Sequence, residues 1–344
     1  MKKIRALSIF SGGLDSILSV LVLRKQGIEI EGVCFETPFF SSEGARKSAQ
    51  KIDIPLRIMD ITDEMLSIIK DPKFGYGTGL NPCLDCHLLM TRKACEIMKK
   101  EGFDFIFTGE VLGQRPMSQT KKALLKIKEL CGCGEYLLLP LSAKHLPITL
   151  PEMEGKVNRD RLLDIHGRSR NEQLKLAKSF GIDACPSPAG GCLLTDKVFS
   201  GRLKDLLTHQ KEIKRRDLRL LKLGRHFRLN PLTKAIVGRN KRENEDLISL
   251  VTPEDSYLNA LKYPGPLVLL PYGGDNKGKK QAAILAASYS DAPSNIPVTI
   301  KVSFNNKVYY INALSQSKTD LRKFMIKAYG KIRSKNVSKS SLLI

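Results

Sequence analysis

The sequence predicts an α/β domain with a doubly wound parallel sheet, followed by a small α+β domain. Apolar β-prone runs alternate with helical segments over the first 110 residues, as in sheets whose parallel strands are joined by helices. After residue 230 the pattern changes to short β runs with helical stretches between them. A basic segment of helical pattern separates the two parts and marks the change of architecture.

Each element is predicted from a local pattern of apolar residues. In the first domain, short β-prone runs predict strands at 4–10, 28–35, 55–60, 103–108 and 137–141. Longer periodic runs predict helices at 16–26, 43–52, 88–100 and 162–181. In the second domain we expect strands at 235–237, 267–270 and 298–304, and helices at 244–251 and 281–287.

Four segments are expected along the 344 residues. Residues 1–198 form the α/β domain and residues 199–224 a basic helical connector. Residues 225–304 form the α+β domain, and residues 305–344 a basic tail that is partly disordered. The 42% hydrophobic content is sufficient for a separate core in each domain.

The chain carries 57 Lys and Arg against 35 Asp and Glu, a net charge of +22. Residues 202–242 hold 14 basic and three acidic residues, and residues 301–344 hold ten and one. Basic side chains that neutralise phosphates release counterions, which favours RNA as a partner over a membrane surface. No apolar run reaches 18 residues, and the first strand begins almost at once, so we expect a cytoplasmic protein without membrane association.

A glycine-rich turn, Ser-Gly-Gly-Leu-Asp-Ser at 11–16, lies between the first predicted strand and helix. Its glycines let the backbone approach a ligand, and the helix that follows offers free N–H groups and a positive dipole end. Such a turn binds phosphate. It lacks the Lys-Ser/Thr of a Walker loop, which disfavours a kinase or GTPase of that type.

The turn resembles the PP-loop, Ser-Gly-Gly-x-Asp-Ser, of ATP pyrophosphatases, which adenylate a carbonyl oxygen and release pyrophosphate. The resemblance implies an adenine nucleotide α-hydrolase-like fold that binds ATP with Mg²⁺. Asp15 would be catalytic, by holding magnesium or orienting ATP; the alternative is an acid that only complements the helix dipole. The residues of the loop implied in ATP binding are Ser11, Gly12, Gly13, Asp15 and Ser16.

A second stretch, at 108–120, reads Thr-Gly-Glu-Val-Leu-Gly-Gln-Arg-Pro-Met-Ser-Gln-Thr. It is similar to the Thr-Gly-Glu-x-Leu-Gly-Gln-x-x-Ser-Gln-Thr segment of the ThiI type of tRNA 4-thiouridine synthase. Because ligands of doubly wound folds bind at the carboxyl ends of strands, we expect this stretch to share one rim with the phosphate loop. The resemblance implies nucleotide contacts from Thr108, Gly109, Gln114, Ser118 and Gln119.

Cysteines provide the third signal. Asn-Pro-Cys-Leu-Asp-Cys at 81–86 is similar to a segment of MnmA-type tRNA 2-thiouridylases, and Cys185 and Cys192 follow about a hundred residues later. In both thiolase types a cysteine in that later region carries sulfur or binds a cluster. The pattern resembles the three cysteines that hold a [4Fe–4S] cluster with one open iron, here Cys83, Cys86 and Cys192. Cys192 and Cys86 would then be catalytic.

Other interpretations of the cysteines stay open. Cys185 can replace one ligand or complete a structural Cys₄ zinc site. Cys192 can instead carry a persulfide and form a transient disulfide with Cys83 or Cys86. Cys34 and Cys95 are predicted to lie in the core. Cys131-Gly-Cys133 is a separate pair that is predicted to form a simple loop, with a secondary ligand site as the alternative.

The basic part contains a Gly-Arg-Asn-x-x-x-Asn signature at 238–244 that resembles the NFACT RNA-binding domain. The resemblance implies RNA contacts from Gly238, Arg239, Asn240 and Asn244, against the alternative of a solvated β-turn. The charge of the preceding segment adds Arg215, Arg216 and Arg219. Residues 273–280 resemble a Walker loop but have Lys where Ser or Thr is required, so we predict a basic hairpin loop there.

Together these resemblances imply an ATP-dependent tRNA uridine thiolase, with 4-thiouridine at position 8 favoured over wobble 2-thiouridine. No rhodanese segment is found, which favours inorganic sulfide over a cysteine desulfurase as sulfur donor. A homodimer stays open. The alternatives are a PP-loop ligase or amidotransferase-like enzyme acting on a small molecule, and a non-catalytic RNA-binding protein.

Overall fold

The computed structural model describes residues 3–182 and 191–330. The chain divides into two compact units, Met1–Thr195 and Asp196–Ile344. No helix within the described ranges combines the length and apolar character needed to cross a membrane.

The first unit is a five-stranded parallel sheet in the order β3-β2-β1-β4-β5, which confirms the predicted doubly wound fold. Its strands are β1 Arg5–Ile9, β2 Glu29–Glu36, β3 Leu56–Asp60, β4 Phe105–Thr108 and β5 Leu137–Leu138. Its helices are α1 Leu14–Arg24, α2 Glu43–Lys51, α3 Thr62–Lys70, α4 Cys83–Glu101, α5 Lys121–Leu130, α6 Leu150–Met153 and α7 Asn171–Ser179. Ile9 pairs with both Val33 and Thr108, so three strands end at one rim.

The order of the strands follows from their burial. β1 and β4 are central and almost fully buried, with Leu7, Phe105 and Phe107 among the largest enclosed side chains. Strands covered on both faces have continuous apolar runs, which is the pattern of these two segments. The two buried strands β1 and β4 therefore fix the edge of the sheet at which the phosphate loop and residues 109–120 begin.

Two boundaries in the first unit differ from the prediction. The helix expected at 162–181 is reduced to α7, because residues 162–170 run as an extended segment that bridges Leu112 to His166 and turns at Gly167 (φ +81°). In contrast, α4 begins at Cys83 rather than at residue 88. Cys83 and Cys86 therefore lie one helical turn apart on the same side of α4.

The second unit contains an antiparallel six-stranded sheet in the order β11-β10-β8-β9-β7-β6. Its strands are β6 Arg225–Asn230, β7 Thr233–Val237, β8 Ser256–Ala260, β9 Val268–Leu270, β10 Val298–Phe304 and β11 Lys307–Ala313. Its helices are α8 Lys197–His209, α9 Arg215–Leu220, α10 Lys241–Ser249, α11 Asn276–Ser288 and α12 Lys318–Leu321. The alanine-rich face of α11 packs into the main core of this unit, and Leu247 of α10 belongs to a smaller cluster.

The structure differs from the expected segments in the second unit. The connector forms two separate helices, α8 and α9, that belong to this unit. Within the expected tail, β11 pairs along its whole length with β10, so the sheet extends to Ala313. Residues 273–280 do not form a hairpin loop: Asp275 caps α11, its carboxylate accepting from the Gly278 N–H at 2.8 Å. Residues 331–344 lie outside the described residues.

Candidate functional site

The phosphate loop is held in place by α2 and leaves the N-terminus of α1 open. Gly12 has φ +76°, and a Cβ there would lie 2.5 Å from the Cα of Ala45. Ser48 donates a hydrogen bond to the Gly12 carbonyl at 2.8 Å. Gly13 is the N-cap of α1 and provides no side-chain cap, so the first N–H groups of the helix remain available to a ligand.

The stretch after β4 packs directly against this loop, as the shared rim predicts. A Cβ on Gly109 would lie 2.5 Å from the backbone of Asp15 and Ser16, so only glycine fits. Gln114 donates to the Asp15 carboxylate at 3.1 Å. The loop that carries Gln114 is closed by the Gly113 N–H, which donates to the Gln119 carbonyl at 2.7 Å.

The pKa of the Asp15 carboxyl is subject to opposing effects. Burial raises the pKa of its carboxyl, while the Gln114 hydrogen bond and the charges of Arg170 and Arg115 lower it. The second carboxylate oxygen, Oδ1, is buried and has no hydrogen-bond partner within the described part of the chain. A buried carboxylate oxygen without a donor is a suitable ligand for Mg²⁺. The site therefore fits a magnesium ion next to the phosphates.

Three neighbours of Asp15 have less obvious sequence signals. Arg115 and Arg170 stand out only as basic residues near glycines. Gln173 was missed: it lies on α7, is fully buried, and its amide lowers the pKa of Asp15. A buried glutamine on an otherwise amphipathic helix is a weak signal, because the packing of α7 on α1 is a tertiary feature.

The predicted cysteines come together at the N-terminus of α4. Cys86 is buried, and its thiol is close enough to Cys83 and Cys192 for each to raise its pKa, although desolvation is the larger cause. Burial also raises the pKa of Cys83 and takes that of Cys192 to about 11. Asn81 donates to the Cys83 sulfur at 3.1 Å. Cys185 lies outside the described residues.

The cysteine helix α4 and the phosphate loop both contact the stretch after β4, α4 through His87 and the loop through the backbone of Asp15. Arg115 acts electrostatically on both the Asp15 carboxyl and the Cys83 thiol, and lowers the pKa of each. Glu110 acts on Cys83 in the opposite sense and contacts His87 Nδ1 at 2.8 Å. The segment with Cys192 is tied to the same edge, because the Leu193 N–H donates to the Phe39 carbonyl at 3.0 Å.

The remaining cysteines contradict the sequence prediction. Cys95 does lie in the core, but Cys131 and Cys133 are not a simple loop pair. All three sulfurs lie within 4.8 Å of one another, and Cys95 and Cys133 are joined in a disulfide. Sequence reasoning did not predict this convergence because Cys95 lies 36 residues before Cys131, on a different element.

The Gly-Arg-Asn-x-x-x-Asn signature builds the turn between β7 and α10. Asn240 caps α10 by accepting from the Glu243 N–H at 2.9 Å, and Arg239 pairs with Glu243. Asn244 accepts from the Leu267 N–H at 3.0 Å, and its Oδ1 lies where a Cβ of Gly238 would be. These side chains have structural partners, and their contact with RNA stays a prediction.

The three arginines of α9 differ in environment. Arg215 and Arg219 are exposed. Arg216 has an ion pair with the fully buried carboxylate of Asp255 and donates to the Leu250 carbonyl at 2.6 Å. The structure therefore gives Arg216 a role in packing.

The parallel fold and the loop after β1 define a PP-loop nucleotide-binding domain. Residues 2–143 match the family model of the thiamine biosynthesis protein ThiI, and residues 224–325 match that of the NFACT protein RNA binding domain. The chain thus contains one segment that matches the ThiI model and one that matches the NFACT RNA binding model, as the two resemblances predict.

The chain is similar to curated tRNA-specific 2-thiouridylases and probable tRNA sulfurtransferases. A tRNA-specific 2-thiouridylase MnmA of Clostridium perfringens is 24% identical over 89% of this chain and 92% of its own length. A probable tRNA sulfurtransferase of Anoxybacillus flavithermus is 32% identical over 36% of this chain and 32% of its own. The chain spans about half, 48%, of the MnmA of Geotalea uraniireducens, at 24% identity over 46% of this chain. A solved 4-thiouridine synthetase–RNA complex with bound ATP aligns at 24% identity with a TM-score of 0.37, over 56% of this chain and 45% of that one.

Proposed function

We propose that the chain is a tRNA sulfurtransferase that uses ATP to convert a tRNA uridine into a thiouridine. The observation that carries the proposal is the stretch after β4, where Glu110 contacts His87 Nδ1 of the cysteine helix at 2.8 Å and the adjacent Gly109 packs on the backbone of Asp15. One site therefore combines a nucleotide-activating part with a sulfur-handling part. The RNA-binding domain supplies the partner, and tRNA as substrate implies a cytoplasmic location.

The proposed reaction has two steps. A uridine carbonyl oxygen attacks the α-phosphorus of ATP, the bond to the β-phosphate breaks, and pyrophosphate leaves. Hydrogen sulfide then adds to the ring carbon, and the carbon–oxygen bond breaks so that AMP leaves with the oxygen. The exchange is redox-neutral. Adenylation is required because an oxo group on a pyrimidine is a poor leaving group.

The residues of the rim have separate tasks in this scheme. The free N–H groups at the start of α1 would bind the phosphates, and Asp15 would hold Mg²⁺, which would neutralise phosphate charge. Arg115 and Arg170 offset the negative charge near Asp15. Gln114 fixes one oxygen of the Asp15 carboxylate, while Oδ1 has no donor among the described residues.

The cysteines fit a cluster better than a single ion. Among the described residues, the cysteines whose sulfurs all lie within 4.8 Å of one another are Cys95, Cys131 and Cys133, so the group at α4 is more widely spaced. Three thiols with one open position suit a [4Fe–4S] cluster held by Cys83, Cys86 and Cys192. When bound, such a cluster supplies an open iron that can carry sulfide. Zinc with Cys185, or a Cys192 persulfide resolved by Cys86, remain the alternatives.

The product is proposed to be 4-thiouridine at position 8, on the match of residues 2–143 to ThiI. Wobble 2-thiouridine is the second candidate, because the Clostridium perfringens 2-thiouridylase aligns with 92% of its own length. Anaerobic incubation with unmodified tRNA, ATP–Mg²⁺ and sulfide, followed by mass spectrometry of the nucleosides, distinguishes the two products. Iron, sulfide and zinc are measured on the same sample.

The variants D15N and C192S should abolish thiolation, a loss of at least 100-fold, while tRNA binding stays within twofold of wild type. Asp15 is needed for adenylation and Cys192 for sulfur delivery, so D15N also stops AMP formation whereas C192S still forms AMP. The matched control is C34S, a buried cysteine of the hydrophobic core that is not one of the three grouped thiols, which should keep full activity. Thiolation by D15N, or loss of tRNA binding in both variants, contradicts the proposal.

A further inference from the structure

A second group of cysteines lies outside the site described above. Cys95 comes from α4, and Cys131 and Cys133 come from the turn after α5. Each is at least 95% buried, and their three sulfurs lie within 4.8 Å of one another. Cys95 and Cys133 form a disulfide, whereas Cys131 is a free thiol. We propose that these three cysteines bind one Zn²⁺ when the chain is reduced.

The turn that carries two of the sulfurs is fixed to the helix that carries the third. Gly132, between the two cysteines, has φ +84°, a conformation that favours glycine. Arg92 of α4 donates to the Leu130 carbonyl at 3.0 Å, and Lys99 donates to the Gly132 carbonyl at 2.9 Å. Two side chains of α4 therefore hold the turn on both sides of Cys131, with Cys95 between them on the same helix. Such preorganisation lowers the cost of bringing three ligands together.

The spacing of the sulfurs suits a single ion. Zinc–sulfur bonds of about 2.3 Å in tetrahedral geometry place sulfurs about 3.8 Å apart. Cys131 Sγ lies within 4.8 Å of both sulfurs of the disulfide, so after reduction the Cys95 and Cys133 sulfurs need to separate by only about 2 Å for all three to reach one ion. An iron–sulfur cluster would spread its ligands further. Three thiolates select zinc among the common divalent ions, and zinc accepts a fourth, exogenous ligand when a protein supplies only three.

The disulfide is the metal-free, oxidised form of the same site. Reduction of the Cys95–Cys133 bond adds two electrons and two protons, and a metal ion then displaces the protons of the three thiols. The expectation that the reduced form prevails rests on the proposed function, because tRNA is modified inside the cell, where thiols are kept reduced.

Cobalt titration of the reduced, full-length chain tests this site. The chain is reduced with a water-soluble phosphine under argon and titrated with Co²⁺, whose thiolate complexes absorb strongly while those of d¹⁰ Zn²⁺ do not. C131S and C133S should each bind one equivalent less Co²⁺ than wild type, and Zn²⁺ should remove the band. C34S, with another buried cysteine changed, should titrate like wild type. Equal cobalt binding by C131S, C133S and wild type overturns the proposal.

A second measurement needs no variant and so does not depend on how the variants fold. Reduced wild-type chain is alkylated with iodoacetamide with and without one equivalent of Zn²⁺, and each cysteine is followed by peptide mass spectrometry. Zinc should slow alkylation of Cys95, Cys131 and Cys133 at least tenfold, and unchanged rates overturn the proposal. C192S separates the two sites: it should lose thiolation, as expected for the proposed function, yet retain this zinc protection.

Discussion

Because Gly109 has no Cβ, the stretch after β4 can pack directly on the phosphate loop. Its Cα lies so close to the backbone of Asp15 and Ser16 that a methyl group would be 2.5 Å from main-chain atoms. Main chain at the start of a helix cannot move aside without moving the helix. The contact therefore links the end of β4 to the geometry of the phosphate loop.

The variant G109A should lower the free energy of unfolding by about 1–3 kcal/mol, the usual cost of overpacking, and weaken ATP binding. The reason is that the added methyl displaces the Asp15 carboxylate and the first N–H groups of α1. Calorimetric titration with ATP and chemical unfolding measure the two effects. G44A is the matched control, because a Cβ there meets nothing within 4 Å. ATP affinity unchanged in G109A would refute the close contact.

Asp275 has a comparable role at the scale of the element, where it fixes the start of α11. Its carboxylate accepts from Thr233 Oγ1 at 2.7 Å, from Asn230 Nδ2 at 2.9 Å and from the Gly278 N–H. These donors lower the pKa of Asp275 to about 2. The cap thus joins α11 to the hairpin of β6 and β7.

The stabilisation that Asp275 provides should depend on pH. Because its pKa is lower in the folded state, the contribution is complete above the ordinary value of 3.8 and is lost as pH falls through about 2. D275A should therefore melt below wild type at pH 6, with a difference that shrinks between pH 4 and pH 2. N240A removes the cap of α10, whose amide does not titrate, so its deficit should persist across that range. A constant deficit in D275A would contradict the assigned pKa.

The start of α11 also shows which elements sequence patterns can predict. The central strands were predictable because a fully buried parallel strand needs a continuous apolar run, as in residues 103–108. The prediction of a hairpin loop at 273–280 was wrong because Asp-Asn-Lys-Gly suits both a hairpin loop and a helix cap. Thr233 and Asn230 favour the helix cap, because both donate hydrogen bonds to Asp275 from a hairpin that is distant in sequence.

The candidate site also contains residues that sequence patterns predict and residues that they do not. Asp15, Gly109 and Gln114 were predictable because short motifs adjoin predicted strand ends. Gln173 was not, since it reaches the rim only through the packing of α7. The trio of Cys95, Cys131 and Cys133 was also beyond sequence patterns, because nothing local indicates that a helix face and a remote turn converge.

At the scale of the whole molecule, the charge excess of the second unit serves two purposes. Part of it is structural: Arg228 and Lys234 both pair with Asp205, and Arg202 donates to the carbonyls of Leu221 and Gly224. Cations held in such pairs are less available to phosphates; Lys234 is buried, and Arg202 and Arg228 are half-buried. Under the proposed function, the net charge of residues 202–242 therefore overestimates the number of RNA contacts, and the exposed arginines must be separated from the paired ones.

Arginines on α9 allow that separation by experiment. R219Q removes an exposed charge, so it should weaken tRNA binding and reduce the salt slope of the binding constant by about 1, without loss of stability. R216Q instead leaves the carboxylate of Asp255 buried without its charge partner, which should lower the free energy of unfolding by about 3–5 kcal/mol. Binding measured at several salt concentrations and thermal melting of the same samples check both. A wild-type salt slope in R219Q would contradict an RNA contact by Arg219, whereas a wild-type melting temperature in R216Q would contradict the packing role of Arg216.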